Sequence, residues 1–219
     1  MEVTRVVSAP FDVNVHVVKE NGRALIVDAS SGMDWPTFGP KLAAAVGDAK
    51  VEALYLTHVH VDHVAGAAKV ARAFGLSHAR MHEGEAFVVE KGDAKLTGGA
   101  MLGVEQEPLP VRVVKEGDII ELGPRRRFEV LLVPGHSPAH TALWEPESRA
   151  LFPGDVVFAH GAFGRVDLPG ADARSMIRSL ERLAALDAAS CYPGHMEDIP
   201  SNAAEAIRES LDNARLMLM

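Results

Sequence analysis

Cysteine, positive charge and long apolar runs are all scarce in this sequence. The 219 residues include one cysteine, Cys191, which excludes an internal disulfide and fits a reducing cytoplasm. No run of about 18 uncharged apolar residues occurs, so we expect no membrane-spanning helix. The N-terminus lacks the basic and apolar regions of a secretory signal. A formal net charge of −8 argues against nucleic acid, whose binding depends largely on Lys and Arg contacts to phosphates. The sequence therefore predicts a cytoplasmic protein with neither a nucleic-acid nor a membrane partner.

The chain otherwise has the composition of an ordinary globular protein. Apolar residues make up 47% of it and charged residues 24%, both typical values, and its length suffices to bury a core. No strong repeat or linker divides it, so we predict one domain over residues 1–219. Cys191 lies in the apolar run 188–192 and is predicted to be a buried thiol.

The densest group of polar side chains follows the apolar run 51–56. His58, His60, Asp62 and His63 fall within six residues, between a predicted strand over 51–56 and a predicted helix over 64–74. The chain has ten histidines, but chance gives this string with odds on the order of one in a thousand. In an extended chain His58 and His60 point to the same side, whereas Asp62 and His63 turn with the helix. The spacing therefore predicts a loop that binds two adjacent metal ions.

Strands and helices alternate through the first half. Strands are predicted over 3–7, 13–18 and 24–28, with Asn21-Gly22 as a hairpin turn and a helix up to residue 46. Segment 84–110 is the least regular part, with a helix near 86–90 and then a long Gly- and Pro-containing loop. This segment could cover the metal site or pack against a second subunit, which leaves a homodimer open.

The second half returns to strands and then to helices. Strands are predicted over 111–114, 119–122, 128–133, 141–144 and 150–152, and near 191–192. Asp172 is predicted to cap one helix, and Asn202 with Glu205 resembles a capping box at the start of the last one. Two such halves can face each other as two sheets with helices outside.

Three strand ends of the second half carry the same pattern. An apolar strand is followed by Pro-Gly and then by His136, Asp155 or His195. Because proline ends a strand and glycine permits a tight turn, the third residue is predicted to be exposed at the sheet edge. One such turn could be a simple polar tip, but three turns that end in His or Asp favour metal ligands.

These residues together resemble the metal-ligand set of the metallo-β-lactamase superfamily, over roughly residues 10–200. The resemblance implies an α/β fold of four layers, the αββα sandwich, with two mixed β-sheets flanked by helices. It implies that His58, His60 and His136 bind one metal, that Asp62, His63 and His195 bind a second, and that Asp155 bridges both.

The donor set indicates the metals and their chemistry. Imidazole and carboxylate donors without thiolates suit zinc, but also iron or manganese. Two divalent metal ions would lower the pKa of a shared water, giving a bridging hydroxide as nucleophile. Asp62 could act catalytically by orienting this nucleophile through its free oxygen. His140 is either a hydrogen-bond partner of the ligands or a strand surface residue.

Segment 161–172 resembles the G-R-x-D-L-P-G-x-D loop of glyoxalase II-like proteins. Arg165 and Asp167 could contact each other and shape the pocket wall, and His160 could touch substrate or lie on the surface. The printed sequence extends about one helix beyond His195, whereas glyoxalase II proper carries an extra helical domain. The chain therefore resembles the short single-domain glyoxalase II-like group, although Ala139 stands where that family usually has Gly.

Three functions remain open at this point. The first is a metallohydrolase acting on a small-molecule thioester, of the hydroxyacylglutathione type, or on a related ester or lactone. The second is a mononuclear iron persulfide dioxygenase of the same fold, with His58, His136 and Asp155 on iron. The third is a metal-binding protein without turnover, which the full set of nucleophile-generating ligands disfavours.

Overall fold

The computed structural model of this protein describes residues 1–8 and 12–219. The chain divides into two compact units. The first unit comprises Met1–Val114 with Glu121–Arg126, and the second comprises Lys115–Ile120 with Arg127–Met219. The prediction of a single domain stays a prediction.

Six strands form a mixed sheet in the first unit. In sheet order they are β1 (Glu2–Val7), β2 (Asn14–Glu20), β3 (Arg23–Val27), β4 (Lys50–Tyr55), β5 (Ala79–His82) and β6 (Val111–Val114). The first three strands are antiparallel, and the steps from β3 to β6 are parallel. The predicted hairpin turn is confirmed, since Asn21 and Gly22 both have positive φ, as a two-residue turn of this kind requires. Strand β5 was not predicted.

Helices connect and cover this sheet. They are α1 (Trp35–Val46), α2 (Val61–Val64), α3 (Ala67–Ala73), α4 (Glu83–Lys91) and α5 (Gly99–Leu102). Phe38 and Leu42 of α1 and Val70 of α3 share one buried apolar cluster with Val17 of β2 and Leu54 of β4. Instead of one helix over 64–74, α2 begins at Val61, the chain passes through Ala65 and Gly66, and α3 follows. The helix predicted near 86–90 is confirmed as α4.

The second sheet has five strands. In chain order they are β7 (Ile119–Leu122), β8 (Arg126–Leu132), β9 (Thr141–Glu145), β10 (Ala150–Gly154) and β11 (Ser190–Pro193), and this is also their order across the sheet. Strand β9 is antiparallel to β8 and β10, whereas β11 is parallel to β10, so this sheet is also mixed.

Two longer helices cover the second sheet, α6 (Ala173–Ala184) and α7 (Ala203–Leu218). Met176, Leu180 and Leu183 of α6 pack in one apolar cluster with Ile207 of α7, and Cys191 is buried in the same cluster, as predicted. Burial, together with the charge of Asp198, raises the pKa of this thiol far above its usual value.

The two predicted N-caps have different outcomes. Asp172 caps α6, since its Oδ1 accepts from the Ser175 amide at 2.7 Å. Hydrogen bonds from the side chain and the amide of Ser175 lower the pKa of Asp172. The capping box at Asn202 is wrong, because this residue is left-handed, with φ 57°, and its side chain makes no capping hydrogen bond. Among the described residues, no helix is both long and apolar enough to span a membrane.

Candidate metal centre

Four predicted ligands of the first unit lie in the turn from β4 to α2. We call His58, His60, Asp62 and His63 the loop cluster. His60 has extended backbone angles of −67° and 148° and precedes α2, and its carbonyl accepts from the amides of His63 and Val64 at 2.9 and 3.1 Å. Asp62 and His63 therefore lie in the first turn of α2, as the sequence predicted.

His58 and His60 present two nitrogen atoms to a common point. The distance between His58 Nε2 and His60 Nδ1 is 3.0 Å, and the ring planes are nearly perpendicular, at 88°. Two nitrogens bound to one tetrahedral zinc, each about 2.0–2.1 Å from it, lie about 3.3 Å apart. This pair therefore fits the coordination of one metal ion.

A buried aspartate that the sequence analysis did not single out holds the loop cluster. Asp28, 2% exposed, follows β3, and its Oδ2 lies 2.9 Å from His63 Nδ1. Its carboxylate also accepts from the Thr57 amide at 2.8 Å and from the Thr57 hydroxyl, and that hydroxyl lies 3.0 Å from His58 Nδ1. When Nδ1 of His63 donates to a carboxylate, Nε2 carries the lone pair that a metal requires.

Parallel strand pairing explains why Asp28 reaches the loop cluster. The Asp28 amide donates to the Tyr55 carbonyl at 2.8 Å, so the ends of β3 and β4 are side by side. Asp28 itself has φ 64°, an uncommon conformation for a residue with a side chain. The only sequence signal was one acidic residue between an apolar strand and a small-residue turn.

Three predicted ligands of the second unit also converge. We call His136, Asp155 and His195 the strand-end cluster. Oδ2 of Asp155 lies 3.5 Å from His136 Nε2 and 3.4 Å from His195 Nε2. Gly154 pairs with Pro193 in the parallel strands β10 and β11, so the two Pro-Gly turns end next to each other. One carboxylate oxygen between two imidazoles is the arrangement expected of a bridging ligand.

Backbone contacts hold the strand-end cluster. His136 Nδ1 lies 2.8 Å from the Arg165 carbonyl, which only an N–H can contact favourably, so Nε2 carries the lone pair. His140 is buried, and its Nε2 accepts from the Asp155 amide at 3.0 Å, which makes His140 a hydrogen-bond partner of a predicted ligand. A Cβ on Gly164 would lie 1.8 Å from the Asp155 carbonyl oxygen, so no side chain fits there.

The predicted substrate-binding residues lie on the 161–172 segment and just before it. Arg165 and Asp167 form a two-point ion pair with N–O distances of 2.9 and 2.8 Å, as predicted. The hydrogen bond from Arg165 lowers the pKa of Asp167 below its usual value. His160 is exposed and does not join this pair, since its Nε2 lies 3.4 Å from Glu197 Oε2. Phe158, which the sequence analysis did not consider, packs edge to face on His195.

The chain matches the family model of the metallo-beta-lactamase superfamily over residues 9–195. The protein belongs to the metallo-β-lactamase superfamily. Its two mixed sheets with flanking helices confirm the predicted fold class, and membership in this superfamily implies divalent metal binding, which both clusters fit chemically.

Relatives of this metallo-β-lactamase superfamily protein include glyoxalase II enzymes, as the loop resemblance predicted. Hydroxyacylglutathione hydrolase GloC of Haemophilus influenzae is 34% identical over 134 residues, which cover 61% of this chain and 62% of GloC, a little under two thirds. A hydroxyacylglutathione hydrolase of Cereibacter sphaeroides strain ATCC 17029 is 30% identical over 210 residues, 94% of this chain and 73% of that protein. These relatives support a hydrolase.

A solved structure is also similar over nearly the whole chain. The crystal structure of TTHA1623 in a di-iron-bound form has a TM-score of 0.76 and 32% sequence identity, and the alignment covers 93% of this chain and 97% of that one.

Proposed function

We propose that this protein is a dinuclear metallohydrolase that cleaves thioesters of the hydroxyacylglutathione type or related esters and lactones. The observation that carries the proposal is the position of Asp155. One of its carboxylate oxygens, Oδ2, lies 3.5 Å from Nε2 of His136 and 3.4 Å from Nε2 of His195. Relatives named hydroxyacylglutathione hydrolase support the thioester as substrate.

The seven ligands are assigned by their match to the superfamily's ligand set. His58, His60 and His136 would hold the first metal, Asp62, His63 and His195 would hold the second, and Asp155 would contact both. That the loop cluster and the strand-end cluster supply one centre is part of the proposal. We propose zinc as the metal, with iron or manganese as competitors, since nitrogen and oxygen donors suit all three.

The bound metals would supply a water with a pKa near neutrality and a Lewis acid for the acyl carbonyl. The side chains and backbone of the protein position the metal ligands and the attacking water. Asp28 and the Arg165 carbonyl fix the rings of His63 and His136. Asp62, whose side chain is partly exposed, would accept a hydrogen bond from the attacking water. The same carboxylate can hold the proton that the departing thiolate later takes.

We also propose that the protein acts in the cytoplasm. Support comes from its one cysteine, which is buried and so is not available to a disulfide partner.

Metal analysis combined with a substrate panel tests the function. Protein purified without added metal should contain two metal ions per chain and hydrolyse one or more of hydroxyacyl-glutathione thioesters, other thioesters and lactones. Dialysis against a chelator should abolish turnover, and adding zinc, iron or manganese should restore it. One iron per chain, with oxygen consumed on a persulfide and no thioester turnover, would instead establish the dioxygenase.

A further inference from the structure

Residues 93–104, which we call the apolar loop, form a closed and ordered segment between α4 and β6. The amides of Lys95 and Leu96 donate to Asp93 Oδ1 at 3.0 and 3.1 Å. The Ala100 amide donates to the Ala94 carbonyl at 2.8 Å, which closes the loop on itself. These hydrogen bonds fix the backbone of the segment.

The apolar loop is fixed to the helix that carries two proposed metal ligands. The Val61 amide donates to the Thr97 carbonyl at 2.9 Å, and Val61 lies between His60 and Asp62 in the sequence. Val104 of the loop packs in a buried cluster with Val61 and Ala65. Residues 97–104 are therefore expected to move together with α2.

Three large apolar side chains of the same loop are exposed to solvent. The exposed fractions are 53% for Leu96, 91% for Met101 and 65% for Leu102. Contiguous exposed apolar surface often marks a binding site, and these three side chains fall within seven residues of one closed segment. Methionine in particular adapts to apolar ligands of different shape.

We propose that Leu96, Met101 and Leu102 contact the acyl group of the substrate and give the enzyme a preference for longer apolar acyl chains. This inference rests on the proposed thioester hydrolysis. The scissile carbonyl must reach the metals that His60 and Asp62 are proposed to bind, so the acyl chain and the thiol portion, both bonded to that carbonyl, are the parts of the substrate nearest the loop anchored at Val61. The glutathione portion carries charges, which three apolar side chains cannot satisfy.

Kinetics on thioesters of one thiol, with acyl chains from acetyl to octanoyl, test the inference. Full burial of a methylene raises kcat/KM about fourfold, so partial burial predicts a rise of about twofold per methylene. The double variant Met101→Ala/Leu102→Ala should reduce the octanoyl-to-acetyl ratio of kcat/KM by about tenfold or more. Met217→Ala, which removes a methionine of similar exposure (75%) from α7, should leave the ratio unchanged. An unchanged ratio in the double variant overturns the inference.

A binding measurement separates this inference from the proposed function. Calorimetric titration of the metal-loaded protein with acetate, butyrate and octanoate should show tighter binding of longer chains in the wild type and Met217→Ala but not in the double variant. If this trend holds while no thioester is hydrolysed, the proposed thioester hydrolysis is refuted and the acyl contact is supported. If thioesters are hydrolysed without any chain-length trend, or if the double variant changes only a monomer–dimer equilibrium in sedimentation, the acyl contact is refuted.

Discussion

The loop cluster and the strand-end cluster are built in opposite ways. The loop cluster takes its four predicted donors from six consecutive residues, and a distant side chain, Asp28, orients His63 directly and His58 through Thr57. The strand-end cluster takes one donor from each of three strand ends, and peptide groups at Arg165 and Asp155 hold it. A distant carboxylate side chain thus orients the loop cluster, whereas the distant Arg165 carbonyl, the His140 imidazole and the strand pairing orient the strand-end cluster.

We expect the largest effect at Asp155, the residue of the strand-end cluster that is proposed to bind both metals. Asp155→Ala should lower kcat/KM by at least about a thousandfold, because several kcal/mol of metal-derived stabilisation are lost. Metal content per chain should fall in elemental analysis. Asp212→Ala on α7 is a matched control, since that carboxylate is exposed. Full activity in Asp155→Ala would refute the bridging role.

Removing the anchor of the loop cluster should have the next largest effect. Asp28→Ala should weaken metal binding about 10- to 100-fold, as loss of a ligand-orienting carboxylate does, and should also destabilise the metal-free protein, because buried donors at Thr57 and His63 lose their acceptor. Competition with a chromophoric chelator measures the affinity, and thermal unfolding measures the stability. Asp28→Asn keeps an acceptor oxygen and should recover stability more than affinity. Unchanged affinity in both variants would show that the anchor is structural only.

The corresponding change in the strand-end cluster should be milder. His140→Ala removes the acceptor of the Asp155 amide, which should cost about 1–3 kcal/mol of unfolding free energy, but the Arg165 carbonyl still orients His136. Metal affinity should fall by less than in Asp28→Ala. His78→Ala is the control, since His78 contacts its neighbour Ser77 rather than any ligand. If His140→Ala lost as much affinity as Asp28→Ala, the contrast between the two kinds of anchor would disappear.

The smallest effect is expected at the exposed ion pair of the 161–172 segment. The pKa of Asp167 is lowered, so its pair with Arg165 is complete above the usual carboxyl pKa and is lost only as the pH falls through the lowered value. Asp167→Asn should therefore leave the shape of the kcat/KM profile between about pH 6 and 9 unchanged, with at most a small rise in KM. A new titration step in that range would contradict this assignment.

The sequence singled out the residues of both clusters, whose role as metal donors stays a prediction, but not the groups that orient them. His58 to His63 form a local pattern, and the three Pro-Gly turns mark His136, Asp155 and His195 one at a time. Asp28, by contrast, becomes an anchor only because β3 and β4 run parallel and end together, which no local pattern encodes. The Arg165 carbonyl belongs to the backbone, so the type of residue at position 165 could not predict this contact.

The fold shows the same limit at two helix starts. Asp172 caps α6 because its backbone is extended, so the side chain can turn back to the Ser175 amide. Asn202 has suitable chemistry, but its left-handed backbone prevents the side chain from capping α7. Residue type predicts a cap only when the capping residue has suitable backbone dihedral angles. Packing outside the helix determines those angles.

The close approach of Gly164 to the Asp155 carbonyl has a practical consequence for enzyme redesign. The carbonyl oxygen of Arg165, rather than the Arg165 side chain, orients the His136 imidazole. Variant libraries can therefore change the side chains after Gly164 without removing this hydrogen bond. A Cβ on Gly164 would displace the backbone at Asp155 or next to the Arg165 carbonyl, and an insertion or deletion between positions 155 and 165 would change the length of chain that joins these two residues. Substrate range should therefore be engineered by exchanging side chains at constant loop length.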